Sequence, residues 1–276
     1  MNQKLALIFT AILAIFLMIG AVSAEGWFDF LSGDASDNDE QTFIVGLGDN
    51  FPPFLYKNDD GDYTGFDIEL AKEVAKRNNW TIKFQPVIDW DSKEFELNSG
   101  EIDCIWSELT INGREDDYTW SDPYFKNTQV FVVNSDSSIN SIDDLNGKVV
   151  EVVVSSSAAD SLNGNNKSVK DTFSKVNEVN DFDSAFVDLK SGACDAIICD
   201  GGYASYVVNE KFSDGSLKII DEPLSVEKYG IGFKKGNDDL RNQVQKTLVE
   251  MFEDGTVDEI AQNYSDYHIP EGIIHP

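Results

Sequence analysis

Positive charge is scarce in this sequence: its 276 residues hold 21 Lys and Arg against 50 Asp and Glu, a formal net charge of -29. A surface of that sign repels phosphate backbones and anionic headgroups, which argues against nucleic-acid binding and against adsorption to a membrane surface. Its plainest consequence is solubility. Cysteine is scarce too. Cys104, Cys194 and Cys199 cannot all pair internally, and Cys194 and Cys199, five apart on a strand-like run, would point to opposite faces. Buried free thiols are therefore expected. Two histidines, His268 and His275, both near the C-terminus, argue against a metal site, and no cofactor is implied. Apolar content is not lacking. At 41% hydrophobic and 26% charged residues, the chain has material for one large or two medium domains.

In chain order, residues 5–22 form a nearly unbroken apolar run after Lys4, ending in Val22-Ser23-Ala24. This reads as an export signal with a small-residue cleavage site. It is also about long enough to anchor the protein if uncut, which would leave the remainder outside the cytoplasm. No Cys follows it, which argues against a lipid anchor. Residues 25–41 are acidic, with Gly, Ser and Asn, and read as a linker.

From Thr42 the pattern becomes that of a folded α/β protein. A β-rich run over 42–47 is followed by Phe51-Pro52-Pro53-Phe54-Leu55-Tyr56, a loop stiffened by two prolines. A helix is expected to begin at Thr64, with Asp67 as its capping partner and Ile68, Ala71, Val74 and Ala75 on its buried face. Strand 81–87, a short helix opening at Trp90-Asp91 with Phe95 and Leu97, and strand 102–106 complete a β-α-β-α-β unit. That unit implies a mainly parallel sheet. A second series follows, with strands expected at 148–154, 175–179 and 194–199 and a long helix over 238–253 carrying Leu240, Val244, Leu248 and Met251 on one face.

Three stretches carry chemistry. In Ser107-Glu108-Leu109-Thr110-Ile111-Asn112-Gly113-Arg114 an apolar strand gives way to hydroxyls, a glycine and a guanidinium. Placed at a strand's carboxyl end, where open α/β sheets bind ligands, these suit a carboxylate, because an Arg fork grips both oxygens. The competing reading is a surface loop whose Arg pairs with a nearby acid. Ser155-Ser156-Ser157 before a helix is either a second anion site or an N-cap. Asp200, at a strand's end before Gly201-Gly202, suits an amine or an N-cap equally.

The order of these signals resembles a known family. Phe51-Pro52-Pro53-Phe54, Gly65-Phe66-Asp67-Ile68-Glu69-Leu70-Ala71, Asn98-Ser99-Gly100-Glu101-Ile102-Asp103, Leu109-Thr110-Ile111-Asn112-Gly113-Arg114, Ser121-Asp122-Pro123-Tyr124, Asp143-Asp144-Leu145-Asn146-Gly147-Lys148, Asp195-Ala196-Ile197-Ile198 and Tyr229-Gly230-Ile231 together resemble the extracellular solute-binding proteins of polar amino acid ABC transporters, bacterial family 3. The resemblance implies a two-lobed, periplasmic-binding-protein-like α/β fold of type II, with two crossover hinge strands. Lobe one would comprise residues 42–127 and 223–276, and lobe two residues 128–222. It implies a monomer that captures an amino acid outside the cell and passes it to a permease. Arg114 would take the ligand carboxylate with Thr110 and Asn112, and Ser156 and Ser157 would close from lobe two. Asp200 would neutralise the ammonium, aided by Ser107 and Glu108, and Phe51 and Trp90 would flank the side chain. Departures from the family pattern are a 110–114 loop one residue shorter, Glu108 where small residues are usual, Ser155 where Gly is common, and Gly48 where some basic-amino-acid binders carry a carboxylate, although Asp49 is adjacent. Two rivals are a prephenate- or arogenate-dehydratase-like enzyme, with Glu108 as acid or base, and an extracellular ligand-sensing domain.

Overall fold

The computed structural model describes residues 41–48 and 50–276. The export segment and all but the last residue of the acidic linker lie outside the described residues. The folded unit, 41–276, is built on two mixed sheets, each the centre of one lobe.

The first sheet contains β1 (Thr42–Leu47), β4 (Thr81–Pro86), β5 (Cys104–Ile105), β6 (Thr119–Trp120) and β13 (Gly232–Phe233), in the order β4-β1-β5-β13-β6. A two-stranded ribbon, β2 (Tyr56–Lys57) and β3 (Tyr63–Thr64), lies between β1 and the first helix. β4 and β5 run parallel to β1, as the β-α-β-α-β pattern requires, whereas β13 pairs antiparallel with both β5 and β6. The sheet is therefore mixed rather than mainly parallel. The departure comes from a strand that returns about 130 residues later, beyond the reach of local pattern.

The second sheet contains β7 (Phe125–Asn134), β8 (Val149–Val153), β9 (Lys175–Val179), β10 (Ala196–Asp200) and β11 (Leu217–Ile219), in the order β11-β7-β10-β8-β9, with β12 (Ser225–Tyr229) alongside β7. β8, β9 and β10 are mutually parallel, and β7 is antiparallel to β10, β11 and β12. The chain leaves the first sheet after β6 through the start of β7 and returns through β12 into β13. These two crossings pair over Phe125↔Tyr229 to Gln129↔Ser225. They are the two strands that join the lobes.

Helix Phe66–Arg77 buries Ile68, Leu70, Ala71, Val74 and Ala75, an i, i+3, i+4, i+7 stripe. Helix Asp238–Glu253 buries Val244, Leu248 and Met251 against the same lobe, each contributing roughly 1.5–3 kcal/mol of burial. In the short helix Lys93–Ser99, Phe95 is 70% exposed while Leu97 is buried. The apolar core runs through the crossing: Phe54 meets Phe125 and Tyr229 edge-on, and Phe125 stacks on Tyr229. All three thiols are free and buried.

The expected Thr64–Asp67 capping pair is not formed. Gly65 is the N-cap, at φ 119°, and a Cβ there would come within 2.3 Å of the Phe54 carbonyl oxygen, so only glycine fits this close approach. Asp67 is buried instead. Its carboxylate accepts from the Glu108 N–H at 2.8 Å and from the Tyr124 hydroxyl at 2.9 Å.

Candidate ligand-binding cleft

Parallel strands place their carboxyl ends on one edge. In the first lobe β1 delivers Gly48, β4 leads to residues 87–90, and β5 leads to residues 107–110. In the second, β8 ends before residues 155–157, β9 before residues 180–182, and β10 at Asp200. All of these segments line one cavity of about 560 Å3. Of the residues singled out from sequence, Phe51, Trp90, Ser107, Glu108, Thr110, Arg114, Ser156, Ser157 and Asp200 line it, and Asn112 does not. Asn112 is exposed, and its side-chain oxygen accepts from the Lys228 backbone N–H at 2.8 Å. That bond, with Ile111 N donating to Lys228 O and Gly230 N donating to Leu109 O, splices the 109–112 loop to the returning crossing strand. The loop therefore holds Thr110 and Arg114 at a fixed place, and Asn112 serves as part of the splice. The Arg114 N–H donates to Ile111 O.

Arg114 itself reaches across the cleft. Its Nη2 donates to Asp160 Oδ2 at 2.8 Å, with the Arg side chain 18% exposed and the Asp side chain 65% exposed. Pairing of this Arg with an acid was the competing reading from sequence, and the acid is 46 residues away on helix Ser157–Asn163.

Glu108 sits in the left-handed region, at φ 42°, an uncommon conformation for a residue with a side chain. Several bonds hold it there. Asp67 accepts its N–H, and Ser107 Oγ donates to Glu108 Oε1 at 2.7 Å while accepting from Gly48 N at 3.1 Å. Burial raises the Asp67 carboxyl to about 7, against the lowering effect of the bonds from Glu108 and Tyr124.

In the second lobe the serine run resolves by position. Ser156 Oγ accepts from Ala159 N at 3.1 Å and is the helix N-cap. Ser155 lies at φ 56°, the conformation for which glycine is suited. Ser157 Oγ accepts from Gln129 Nε2 at 3.0 Å and lies 3.2 Å from Glu227 Oε1, to which it donates.

Asp200 occupies the N-cap position of helix Gly201–Tyr206 without making a capping bond. Asn127 Nδ2, Gln129 Nε2 and the Tyr229 hydroxyl all donate to the same oxygen, Oδ1, and Oδ2 receives none of these three bonds. Asn127 and Gln129 also donate to Glu227 Oε1, at 2.7 and 2.8 Å. Burial first, and the neighbouring Glu227 second, push Asp200 above the usual carboxylate range. Asn127, Gln129 and Glu227 were not identified from sequence. Their signal was available: two amides at i and i+2 share one face of a strand with Phe125, Phe131 and Val133, and such a pair inside a sheet needs partners.

Aromatic contacts also cross the cleft. Phe51 is buried and stacks on Tyr203 of the second lobe, with ring centroids 4.5 Å apart and planes inclined 12°. Trp90 lies on the cavity wall, with its Cζ3 3.4 Å from a Cβ built at Gly48.

Comparison with known proteins gives concordant matches. The model of the bacterial extracellular solute-binding proteins, family 3, matches residues 43–267. The L-cystine-binding protein TcyJ of Escherichia coli is 31% identical over 226 residues, covering 81% of this chain and 82% of that one. Among solved structures, an ancestral arginine-binding protein bound to arginine superposes with a TM-score of 0.73 at 38% identity, covering 81% of this chain and 97% of that one. A substrate-binding protein of a Streptococcus pneumoniae ABC uptake transporter, with histidine bound, superposes with a TM-score of 0.75 at 30% identity, covering 81% and 92%.

Proposed function

The chain belongs to the bacterial extracellular solute-binding proteins of family 3, and from that premise we propose that the cleft takes a free L-amino acid, held by its carboxylate and its ammonium, and that closure of the lobes presents it to an ABC transporter permease. The protein is a non-enzymatic amino-acid-binding component of an uptake system, in keeping with its relatives.

One observation carries the assignment of ends. A guanidinium, Arg114 of the first lobe, and a half-buried carboxylate, Asp200 of the second, face a cavity into which both sets of parallel-strand ends open. A zwitterion satisfies both charges, and either alone inside a cleft is costly to desolvate. Arg114 grips the ligand carboxylate in competition with Asp160, with Thr110 beside it. Asp200 meets the ammonium through Oδ2, the oxygen not taken up by Asn127, Gln129 and Tyr229. Those three donors sit on β7 and β12, the strands joining the lobes, so the ligand's charge bears directly on the hinge. On this reading the lobes divide near residues 127 and 222, beside the paired crossing strands.

Isothermal titration with the twenty amino acids tests this. At least one should bind, and Arg114→Ala should weaken that binding by about 2–5 kcal/mol, some thirtyfold to several thousandfold. Unchanged affinity would remove Arg114 from the site.

A further inference from the structure

We propose that amino-acid capture in this cleft releases a proton: before the ligand arrives, Asp200 holds that proton in a hydrogen bond to Glu227, and the arriving ammonium displaces it to solvent. This deepens the amino-acid reading above, on which it rests, by naming Glu227 as the residue that keeps the ammonium site protonated.

The crossing strands build the pair. Glu227 of β12 lies opposite Asn127 of β7, and Asp200 of β10 lies opposite Gln129. Asn127, Gln129, Glu227 and Tyr229 are buried and alternate with residues of the other face, where Lys126 and Lys228 are exposed. Asp200 Oδ1 and Glu227 Oε1 both lie within 3.0 Å of the same two amide nitrogens, Asn127 Nδ2 and Gln129 Nε2. Glu227 is 5% exposed, and its Oε1 also accepts from Ser157 Oγ. Among the described residues neither carboxyl belongs to an ion pair. Two carboxyls held this close, among amides and without a cation, do not both ionise, and one keeps its proton. Asp200 is that one: burial first and Glu227 second raise it above the ordinary range, against the lowering bonds from Tyr229 and Gln129.

The other groups around the pair do not exchange this proton. Burial first pushes the Tyr229 hydroxyl, the Cys199 thiol and the Tyr203 hydroxyl up, so all three stay protonated. From the first lobe Glu108 and Arg114 face the same cavity, and Arg114 pairs with Asp160. Asp67, raised to about 7 by burial beside the Glu108 backbone, is a competing proton source. An ammonium at Asp200 Oδ2 brings the positive charge that the pair lacks. Asp200 then ionises, its proton passes to buffer, and one cation is gained for one proton lost. Affinity therefore rises with pH by up to about tenfold per unit while Asp200 is protonated without ligand, and levels off once it has ionised.

Isothermal titration in buffers of different ionisation enthalpy counts the protons released per ligand. The probe is the tightest binder of the twenty amino acids other than histidine and cysteine, whose side chains titrate in the same range; if only those two bind, the difference between wild type and Glu227→Gln decides, because the ligand's own titration cancels there. Wild type should release about 0.5–1 proton near pH 6 and less than about 0.3 near pH 8, with affinity about five- to tenfold higher at pH 8. Glu227→Gln should lower the count near pH 6 by about half or more, since a neutral Gln does not repel an ionised Asp200; Asp67 is common to both proteins and cancels in that difference. A wild-type count no higher at pH 6 than at pH 8 would overturn the inference and leave the amino-acid reading intact. An unchanged count in Glu227→Gln would remove Glu227 as the proton's keeper. Should that variant fail to fold, as judged by circular dichroism, Tyr229→Phe decides: losing a donor that favours ionised Asp200, it should raise the count near pH 8, and an unchanged count would overturn Asp200 as the source. Failure of the wild type to bind any of the twenty amino acids would overturn the underlying reading as well.

Discussion

Replacing Asp67 by Asn should change stability little in mildly acidic solution and raise it in mildly alkaline solution. The native carboxyl is raised to about 7 from an ordinary 3.8 because it is fully buried, with bonds from Glu108 N and Tyr124 only partly offsetting the loss of water. Between these two values the native state binds a proton that the unfolded chain has released, so stability falls as pH rises and the loss is complete once pH passes the native value. A shift of about 3 pH units corresponds to about 4 kcal/mol in full, of which about 2.5 kcal/mol accrues between about pH 5 and 7.5. Asn carries no such penalty at either pH. Its oxygen still accepts from Glu108 N, while the Tyr124 hydroxyl must redirect its proton, at a cost of about 1 kcal/mol. Urea unfolding of both proteins, without ligand, should show the two within about 1 kcal/mol of each other near pH 5 and the variant gaining about 2–3 kcal/mol on the wild type by pH 7.5. Every other titrating group is common to the two proteins and cancels in the difference. A stability difference independent of pH would refute the assignment of a strained, proton-holding carboxyl to this position.

Asp160→Ala should raise amino-acid affinity by no more than about fivefold, most at low salt, because Asp160 is an exposed competitor for Arg114; a tenfold loss in titration would make Asp160 a ligand contact instead. Ser155→Gly should stabilise the protein by up to about 1 kcal/mol, since relief of a left-handed conformation worth roughly 1–2 kcal/mol exceeds the roughly 0.5–1 kcal/mol entropy cost of glycine; a lowered urea midpoint would contradict this. Gly65→Ala should destabilise by about 2–4 kcal/mol, because its Cβ would overlap the Phe54 carbonyl and its φ is 119°. A thermal midpoint within a degree or two of wild type would show that the backbone there can yield.

The parts of the site legible in the sequence were those marked by local chemistry at a strand's end. An apolar run that stops at Ser107, Ser155 or Asp200 announces where the sheet edge lies, and the parallel order of β1, β4, β5 and of β8, β9, β10 brings those ends together. What local chemistry cannot disclose is which of two partners a polar side chain will take. Asp67 has the spacing of a capping residue, yet Gly65 already supplies the helix entry, so the carboxylate is free to reach Glu108, 41 residues on. Asp200 has the position of a cap, yet the paired crossing strands bring Asn127, Gln129 and Tyr229 to it.

Asn112 shows the same competition inside one loop. Three residues before it, Leu109 O accepts from Gly230, and Ile111 N reaches Lys228 O, so the loop behaves as an extra strand against β12 and carries Asn112 to the strand's side of the splice. Arg114 then emerges after the glycine turn, where the nearest opposite charge belongs to the other lobe. An ion pair that spans the cleft and is exposed on its acidic side contributes little stability. On the proposed reading, that weakness suits a ligand clamp: Asp160 shields the guanidinium and yields it at small cost to the carboxylate of an amino acid held at both ends.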